Sequence, residues 1–184
     1  GVAMINVFKS NSQNQIIVVP GANAHTKASQ ITDQSLSSFD ILLSQMEVQA
    51  NEVETLFLRA KERDCYRILN LAPARKLNES LFSNTDLFVV NEIELESMSK
   101  NSLQLDSIDS VTANIESISL NKNQSIIVTL GSTGVFINHG NKQEFIEGHN
   151  VEAIDTTGSG DCFLGALASS LVKNENLFDA AAYA

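Results

Sequence analysis

The sequence predicts an α/β fold: a mainly parallel sheet with helices on both faces, preceded by a short N-terminal β hairpin. Three observations carry this. From Asp40 onward, short continuous apolar runs alternate with stretches of helical period, the pattern of buried parallel strands joined by crossover helices. The first 20 residues are instead two β-rich runs around a polar turn, which is hairpin grammar. Near the end, a glycine-rich turn leads straight into an apolar run, as where a chain enters a helix across the open end of a sheet.

Taken in order, "GVAMINVF" and "QIIVVPG" form the hairpin, with "KSNSQN" as its turn. "DILLSQME" is the first buried strand. "NEVETLFLRAKERD" is a helix with Val53, Leu56, Phe57 and Ala60 on one face, a spacing that repeats with the helical period. "CYRILNLAP" and "DLFVVN" are the next strands, followed by the helix "EIELESMSK" and a second amphipathic helix through Ile108, Val111, Ile115 and Ile118. After the strand "SIIVTLG", the segments "GVFINHG" and "KQEFIEG" form an antiparallel hairpin. A helix then runs from Ser159 to Val172, and "LFDAAAYA" reads as part of another. No internal repeat or low-complexity linker divides residues 1–184, which read as part of a single domain.

Bulk properties narrow the function. With 184 residues, 43% hydrophobic and 18% charged, the chain can bury a substantial core. A net charge of -10 argues against nucleic acid or an acidic membrane surface as partner. No apolar run is long enough to cross a bilayer, and the start lacks the basic and cleavage features of a signal peptide, so a cytoplasmic location is expected. Cys65 and Cys162 are far apart, without a CxxC or a nearby histidine pattern, which argues against a zinc site or a disulfide. Cys162 is expected as a small buried residue on its helix, and His25, His139 and His149 as surface residues.

Ligands of an open parallel sheet gather at the carboxyl ends of the strands. Those exits here are "QME", "NLAPAR", "VNEIE", "TLGSTG" and "DTTGSGD", each polar or glycine-containing. The last is the most informative. A helix N-terminus exposes unsatisfied N–H groups and a partial positive charge, and Gly158 and Gly160 let an anion approach them closely. Asp161 would repel a resting anion but suits an incoming hydroxyl, which it can orient and deprotonate late in a loose phosphoryl transfer. A first-turn acid complementing the helix dipole is the alternative use of Asp161. No G-x-x-x-x-G-K-[ST] motif occurs, and Phe163 stands where a dinucleotide fingerprint needs glycine or alanine.

"DTTGSGD" with "CFLGALA", together with "NEIE", resembles the two signatures of the ribokinase family of sugar and nucleoside kinases. "GVAMINV", "IIVVPGANA", "LLSQME", "NLAPAR" and "VTLGSTGVF" resemble its ribose-phosphorylating members, segment after segment, over essentially the whole chain. The resemblance implies a Rossmann-like domain whose hairpin belongs to or adjoins a lid. It also implies ATP-dependent phosphorylation of D-ribose at the 5-hydroxyl, with Mg²⁺ required, K⁺ activating, and a homodimer when complete.

Residue by residue, the resemblance makes Asp161 the catalytic base and Gly158, Ser159 and Gly160 the anion hole. Asn91 and Glu94 organise Mg²⁺ and the phosphates, with Glu94 acting through water. Ordinary helix capping is the alternative for this pair. Thr129, Leu130, Gly131, Ser132, Thr133 and Gly134 form the nucleotide-binding exit. Glu47 contacts the sugar, Asn23 lies near it, and Asp155 and Thr157 belong to the K⁺ site. The family's G-G-K-G-x-N sugar motif and first lid strands do not occur here, nor does the portion completing the adenine pocket. The chain thus reads as the middle of such a kinase and is expected to be inactive alone. Another sugar or nucleoside kinase of the family, such as a fructokinase, and a catalytically silent binding domain are the competing functions.

Overall fold

The computed structural model describes residues 1–7, 14–99, 107–173 and 175–184. Its main sheet has six strands, β3 (Ile41–Ser44), β4 (Tyr66–Asn70), β5 (Leu87–Asn91), β6 (Ser125–Thr129), β7 (Gly134–His139) and β8 (Lys142–Glu147), lying side by side in that order. The first four are parallel, and β7 and β8 add an antiparallel hairpin to the β6 edge. Separate from this sheet, β1 (Val2–Val7) and β2 (Asn14–Val19) form an antiparallel pair with Val2 opposite Val19. All but the last residue of the polar turn expected between them lies outside the described residues; of the helix expected through Lys100, Lys100 lies outside them, and the helix already ends at Met98, with Ser99 extended.

The helices are α1 (Asp33–Leu36), α2 (Ala50–Lys61), α3 (Glu79–Ser83), α4 (Glu92–Met98), α5 (Ile108–Ser117), α6 (Ser159–Val172) and α7 (Leu177–Tyr183). Because β3 to β6 follow one another across the sheet, every crossover between them advances in the same direction. The right-handed rule for such crossovers sends their helices to one face. Accordingly Val53, Phe57 and Ala60 of α2, Leu95 of α4 and Val111 and Ile115 of α5 share one core with Leu69, Phe88, Val90, Ile126 and Val128. The intervening strand residues Ile68, Leu87, Val89 and Ile127 face the other way, against Leu164 and Leu167 of α6 and Leu177, Ala180 and Ala181 of α7. This two-residue alternation explains why the middles of these strands run apolar at consecutive positions, since both faces are covered. It also fixes which way each strand's last residue points.

The short helices α1 and α3 carry no expectation from periodicity. Each is held by its cap: Thr32 Oγ1 accepts from Ser35 N–H at 3.1 Å, and Asn78 Oδ1 from Leu81 N–H at 2.7 Å. Arg59 secures the segment ahead of α1 to α2, donating to the Ala28 and Ile31 carbonyls at 2.7 and 2.6 Å and to Asp33. One expectation is overturned. Cys162 is exposed, because the buried stripe of α6 runs through Leu164, Leu167 and Ser170 and position 162 lies about half a turn away from it. His25, His139 and His149 are exposed as expected. Among the described residues, no helix is long and apolar enough to cross a membrane.

Candidate active site

The alternation that sends Ile68, Val89 and Ile127 toward α6 sends the residue two positions on the same way. Asn70, Asn91 and Thr129, the last residues of β4, β5 and β6, therefore form a polar row at the carboxyl edge, facing the start of α6. They line a cavity of about 170 Å³ with Glu94, Gly158, Gly160 and Asp161, over an apolar floor that includes Val89 and Leu164. Six of the sequence-predicted residues thus meet there: Asn91, Glu94, Thr129, Gly158, Gly160 and Asp161.

The α6 side of the cavity is mostly backbone. Gly158 caps the helix in the left-handed region (φ 76°, ψ 6°), where glycine is favoured. Its carbonyl accepts from Cys162 N–H at 2.9 Å, while Ser159 N–H turns back to the Thr156 carbonyl at 3.2 Å. The Gly160 and Asp161 amides have no acceptor within the helix, as for any first turn. A Cβ at Gly158 or Gly160 would meet nothing within 4 Å, so protein packing leaves the approach to these amides open. Asp161 is exposed at this mouth.

Asn91 and Glu94 form the opposite wall. Asn91 Oδ1 accepts from Glu94 N–H at 2.9 Å, and Glu94 Oε2 accepts from Asn91 N–H at 2.8 Å. This is a reciprocal capping box that satisfies two N–H groups of α4. Helix capping is therefore present in full, and it leaves Glu94 Oε1 outside the box. Glu94 is only 5% exposed. Burial raises its pKa above the ordinary carboxylate value; the bond from Asn91 N–H opposes this and the nearby Glu92 carboxylate adds to it.

This geometry separates two roles of Glu94. Its folded pKa is raised, so the stability it contributes is fully present below its unfolded pKa and is lost as pH rises through the folded value. Glu94→Gln keeps an acceptor for the cap but removes the buried charge. Its melting temperature relative to wild type is expected to rise between pH 4 and pH 7, as calorimetry across that range would detect. Glu94→Ala loses the cap as well and is expected to cost about 1 kcal/mol. A pH-independent difference for Glu94→Gln would mean that the Glu94 pKa is the same in the folded and unfolded states.

The remaining predicted residues lie elsewhere. Gly131–Thr133 form a single turn of 3-10 helix after β6, with Leu130 N–H donating to the Gly134 carbonyl at 2.8 Å and Gly148 N–H to Thr133 at 2.9 Å. Ser132 and Thr133 line a second, larger cavity of about 390 Å³ with Glu147 to Val151, a wall that sequence reading did not anticipate. Leu130 packs partly buried against the core of α2 to α5. Glu47 is exposed beyond β3, and Asn23 is half-buried in the short turn Gly21–His25. Neither lines the first cavity, although Gln49 donates to the Ala24 carbonyl and ties Asn23's turn to the β3 exit. Asp155 Oδ1 accepts from Thr157 N–H at 2.8 Å, an Asx turn whose N–H bond lowers the Asp155 pKa.

Asn70 is the cavity residue that sequence reading named only as part of the "NLAPAR" exit. The available signal was its type: a polar side chain closing an otherwise buried strand. Among the described residues, no group of three or more His, Cys, Asp or Glu could hold a metal ion by itself. The cavity instead offers Glu94 and Asp161 as isolated carboxylates. That donor set fits Mg²⁺, which keeps several waters and takes other oxygens from substrate phosphates. Asp155 and Thr157 supply oxygens suited to a hard monovalent cation, but only part of a coordination shell.

Comparison with known proteins identifies the family. The family model described as pfkB family carbohydrate kinase matches residues 1–184. A ribokinase of Haemophilus influenzae is 35% identical over 98% of this chain, which spans 58% of that protein's length. The crystal structure of a ribokinase from Thermotoga maritima is 33% identical, with a TM-score of 0.79 over 97% of this chain and 58% of the other. That of a Cryptococcus neoformans ribokinase in complex with ADP is 26% identical, with a TM-score of 0.82 over 97% of this chain and 61% of the other. The match of the family model over residues 1–184, with these relatives and their shared fold, leads to one conclusion: the chain belongs to the pfkB family of carbohydrate kinases.

Proposed function

We propose that this chain is the catalytic portion of an ATP-dependent kinase that phosphorylates D-ribose at its 5-hydroxyl. The observation that carries the reading is the cavity where Asp161, the open first-turn amides of α6 and the Asn91–Glu94 pair meet. The names of the relatives support ribose as acceptor, and the ADP complex of a relative supports the nucleotide.

The open amides of Gly160 and Asp161, bared by the Gly158–Ser159–Gly160 turn, receive phosphate oxygens at the positive end of α6, and the Asp161 carboxylate orients the acceptor hydroxyl. As the hydroxyl oxygen bonds to the γ-phosphorus, the bond from that phosphorus to the ADP oxygen breaks and its electron pair leaves with ADP. The hydroxyl proton passes to the Asp161 carboxylate. Most of the work is positioning and charge stabilisation, as expected for a loose transition state. Mg²⁺, when bound, neutralises charge on the phosphates, with Asn91 and Glu94 on its side of the cavity and Glu94 acting through water. Thr129 to Gly134 bind the nucleotide, Glu47 and Asn23 serve the sugar side, and Asp155 and Thr157 contribute to K⁺ activation. A homodimer is part of the reading, supported by a hairpin on which Val2, Met4, Ile17 and Val19 are each more than half exposed, an apolar surface of the kind that partners cover. A cytoplasmic location completes it.

The test is ADP release by the full-length protein with ATP and Mg²⁺ over a panel of D-ribose, D-fructose and adenosine. D-ribose is expected to give the highest kcat/KM. Preference for another acceptor would move the assignment within the family, and no turnover with any acceptor would favour the catalytically silent domain.

A further inference from the structure

We infer that Asn70 is a phosphoryl-contacting residue, its Nδ2 donating a hydrogen bond to an oxygen of the phosphoryl group in transit. The inference rests on the kinase reading above and adds a residue to it.

Three observations converge on Asn70. It is 9% exposed at the end of β4, yet among the described residues its carboxamide makes no hydrogen bond. The sealed, unpartnered side-chain atoms of the described residues are Arg67 Nε and Asn114 Oδ1, so the Asn70 carboxamide is not walled into the interior. It belongs instead to the lining of the cavity shared with Gly158, Gly160 and Asp161. A carboxamide this buried normally has its donors satisfied, and a ligand oxygen in the cavity would do so.

The position in the sheet selects which oxygen. Asn70 stands between the β3 exit that carries Glu47, on the acceptor side of the proposed reaction, and the β5 and β6 exits that carry Asn91 and Thr129, on the donor side. It aligns with Val89 of β5, whose side chain forms part of the same cavity floor. The phosphoryl group crosses between these sides, and its oxygens accept hydrogen bonds. A neutral amide donor adds little to ground-state binding of a charged nucleotide. It matters most when charge spreads over the equatorial oxygens in the transition state, where a fixed donor in a partly dry site acts most strongly.

In the full-length protein, Asn70→Ala is expected to lower kcat by about 10²-fold, with the Kd of ATP and of D-ribose changed by less than about threefold. Affinity for ADP with aluminium fluoride and D-ribose, a mimic of the transferring group, should fall in parallel with kcat while affinity for ADP alone holds. Asn70→Asp keeps the shape but turns a donor into an acceptor of negative charge, and is expected to lose at least as much. Should Asn70→Ala fail to fold, Asn70→Asp carries the same comparison. Wild-type turnover and its loss in Asp161→Asn test the kinase reading separately. If both hold while the folded Asn70 variants keep kcat and aluminium fluoride affinity within about threefold, the Asn70 assignment is overturned alone. An absence of wild-type turnover overturns both.

Discussion

Asp161→Asn in the full-length protein is expected to lower kcat by a factor on the order of 10²–10⁴ while nucleotide affinity stays nearly constant. The change is nearly isosteric and retains a polar group in the first turn of α6, so the open amides of the cradle are undisturbed. What disappears is the acceptor of the hydroxyl proton. The competing role, an acid complementing the helix dipole, is worth only about 0.3–1 kcal/mol at an exposed site, and Asp161 is exposed. If that were its whole contribution, the variant would melt slightly earlier and turn over normally. Steady-state kinetics with a separate measurement of ADP binding distinguish the two. Equal losses in binding and turnover would make Asp161 a holder of the loop rather than the base.

Gly134→Ala is expected to be the most damaging single-methyl change in the chain. Gly134 has φ 129° and ψ -145°, a region essentially closed to other residues, at a strain of about 1–3 kcal/mol. An added Cβ would also lie 2.0 Å from the Ile146 carbonyl oxygen and 2.7 Å from Gly148 N. Both are backbone atoms of the β8 strand and its exit, and they can retreat only by parting β7 from β8. Overpacking of that kind adds about 1–3 kcal/mol, for a combined loss of roughly 2–6 kcal/mol. Gly131 is the internal control. It too has positive φ, 55°, but its Cβ would meet nothing within 4 Å, so Gly131→Ala should cost only about 1–2 kcal/mol. Thermal denaturation of the two variants side by side checks this. Equal losses would show that the contact with β8 relaxes easily. Because the same turn builds the second cavity with Ser132 and Thr133, Gly134→Ala should also weaken nucleotide binding in whatever protein remains folded.

Much of this architecture was legible because its signals are local or periodic. β4, β5 and β6 carry apolar residues at consecutive buried positions, 68–69, 87–90 and 126–128, which only a doubly covered strand requires. The helix expected from Ser159 to Val172 has those bounds because a left-handed glycine and an apolar run mark its start without ambiguity. Asn91 and Glu94 were legible twice, as a capping box and as a ligand pair, and the geometry accommodates both. α1 and α3 were missed because four or five residues hold too little of a helical period to show a face. Only Thr32 and Asn78 announce them. Cys162 was misjudged because composition predicts burial by residue type, whereas its side is set by the angle between the first turn of α6 and the stripe through Leu164. Glu47 and Asn23 lie outside the cavity, and no local pattern would have said so. Asn70's orientation was illegible for a related reason: it depends on α6, far along the chain, covering that face of β4.

The division of helices between the two faces also orders events in time. α2 to α5 each lie between the strands they cover, so that face closes through contacts of short sequence separation, which form quickly. On the opposite face, Ile68, Leu87, Val89 and Ile127 pack against α6 and α7, which follow the six described strands of the main sheet in the sequence. On a ribosome, Ile68, Leu87, Val89 and Ile127 therefore lack these particular partners until α6 and α7 have been made, and apolar surface left without its partners invites wrong ones. The helix that ends this exposure also carries Asp161 and the open amides. Covering of these four residues by α6 and assembly of the cavity are then one docking event, so the cavity takes shape only in molecules whose strands have been covered on that face.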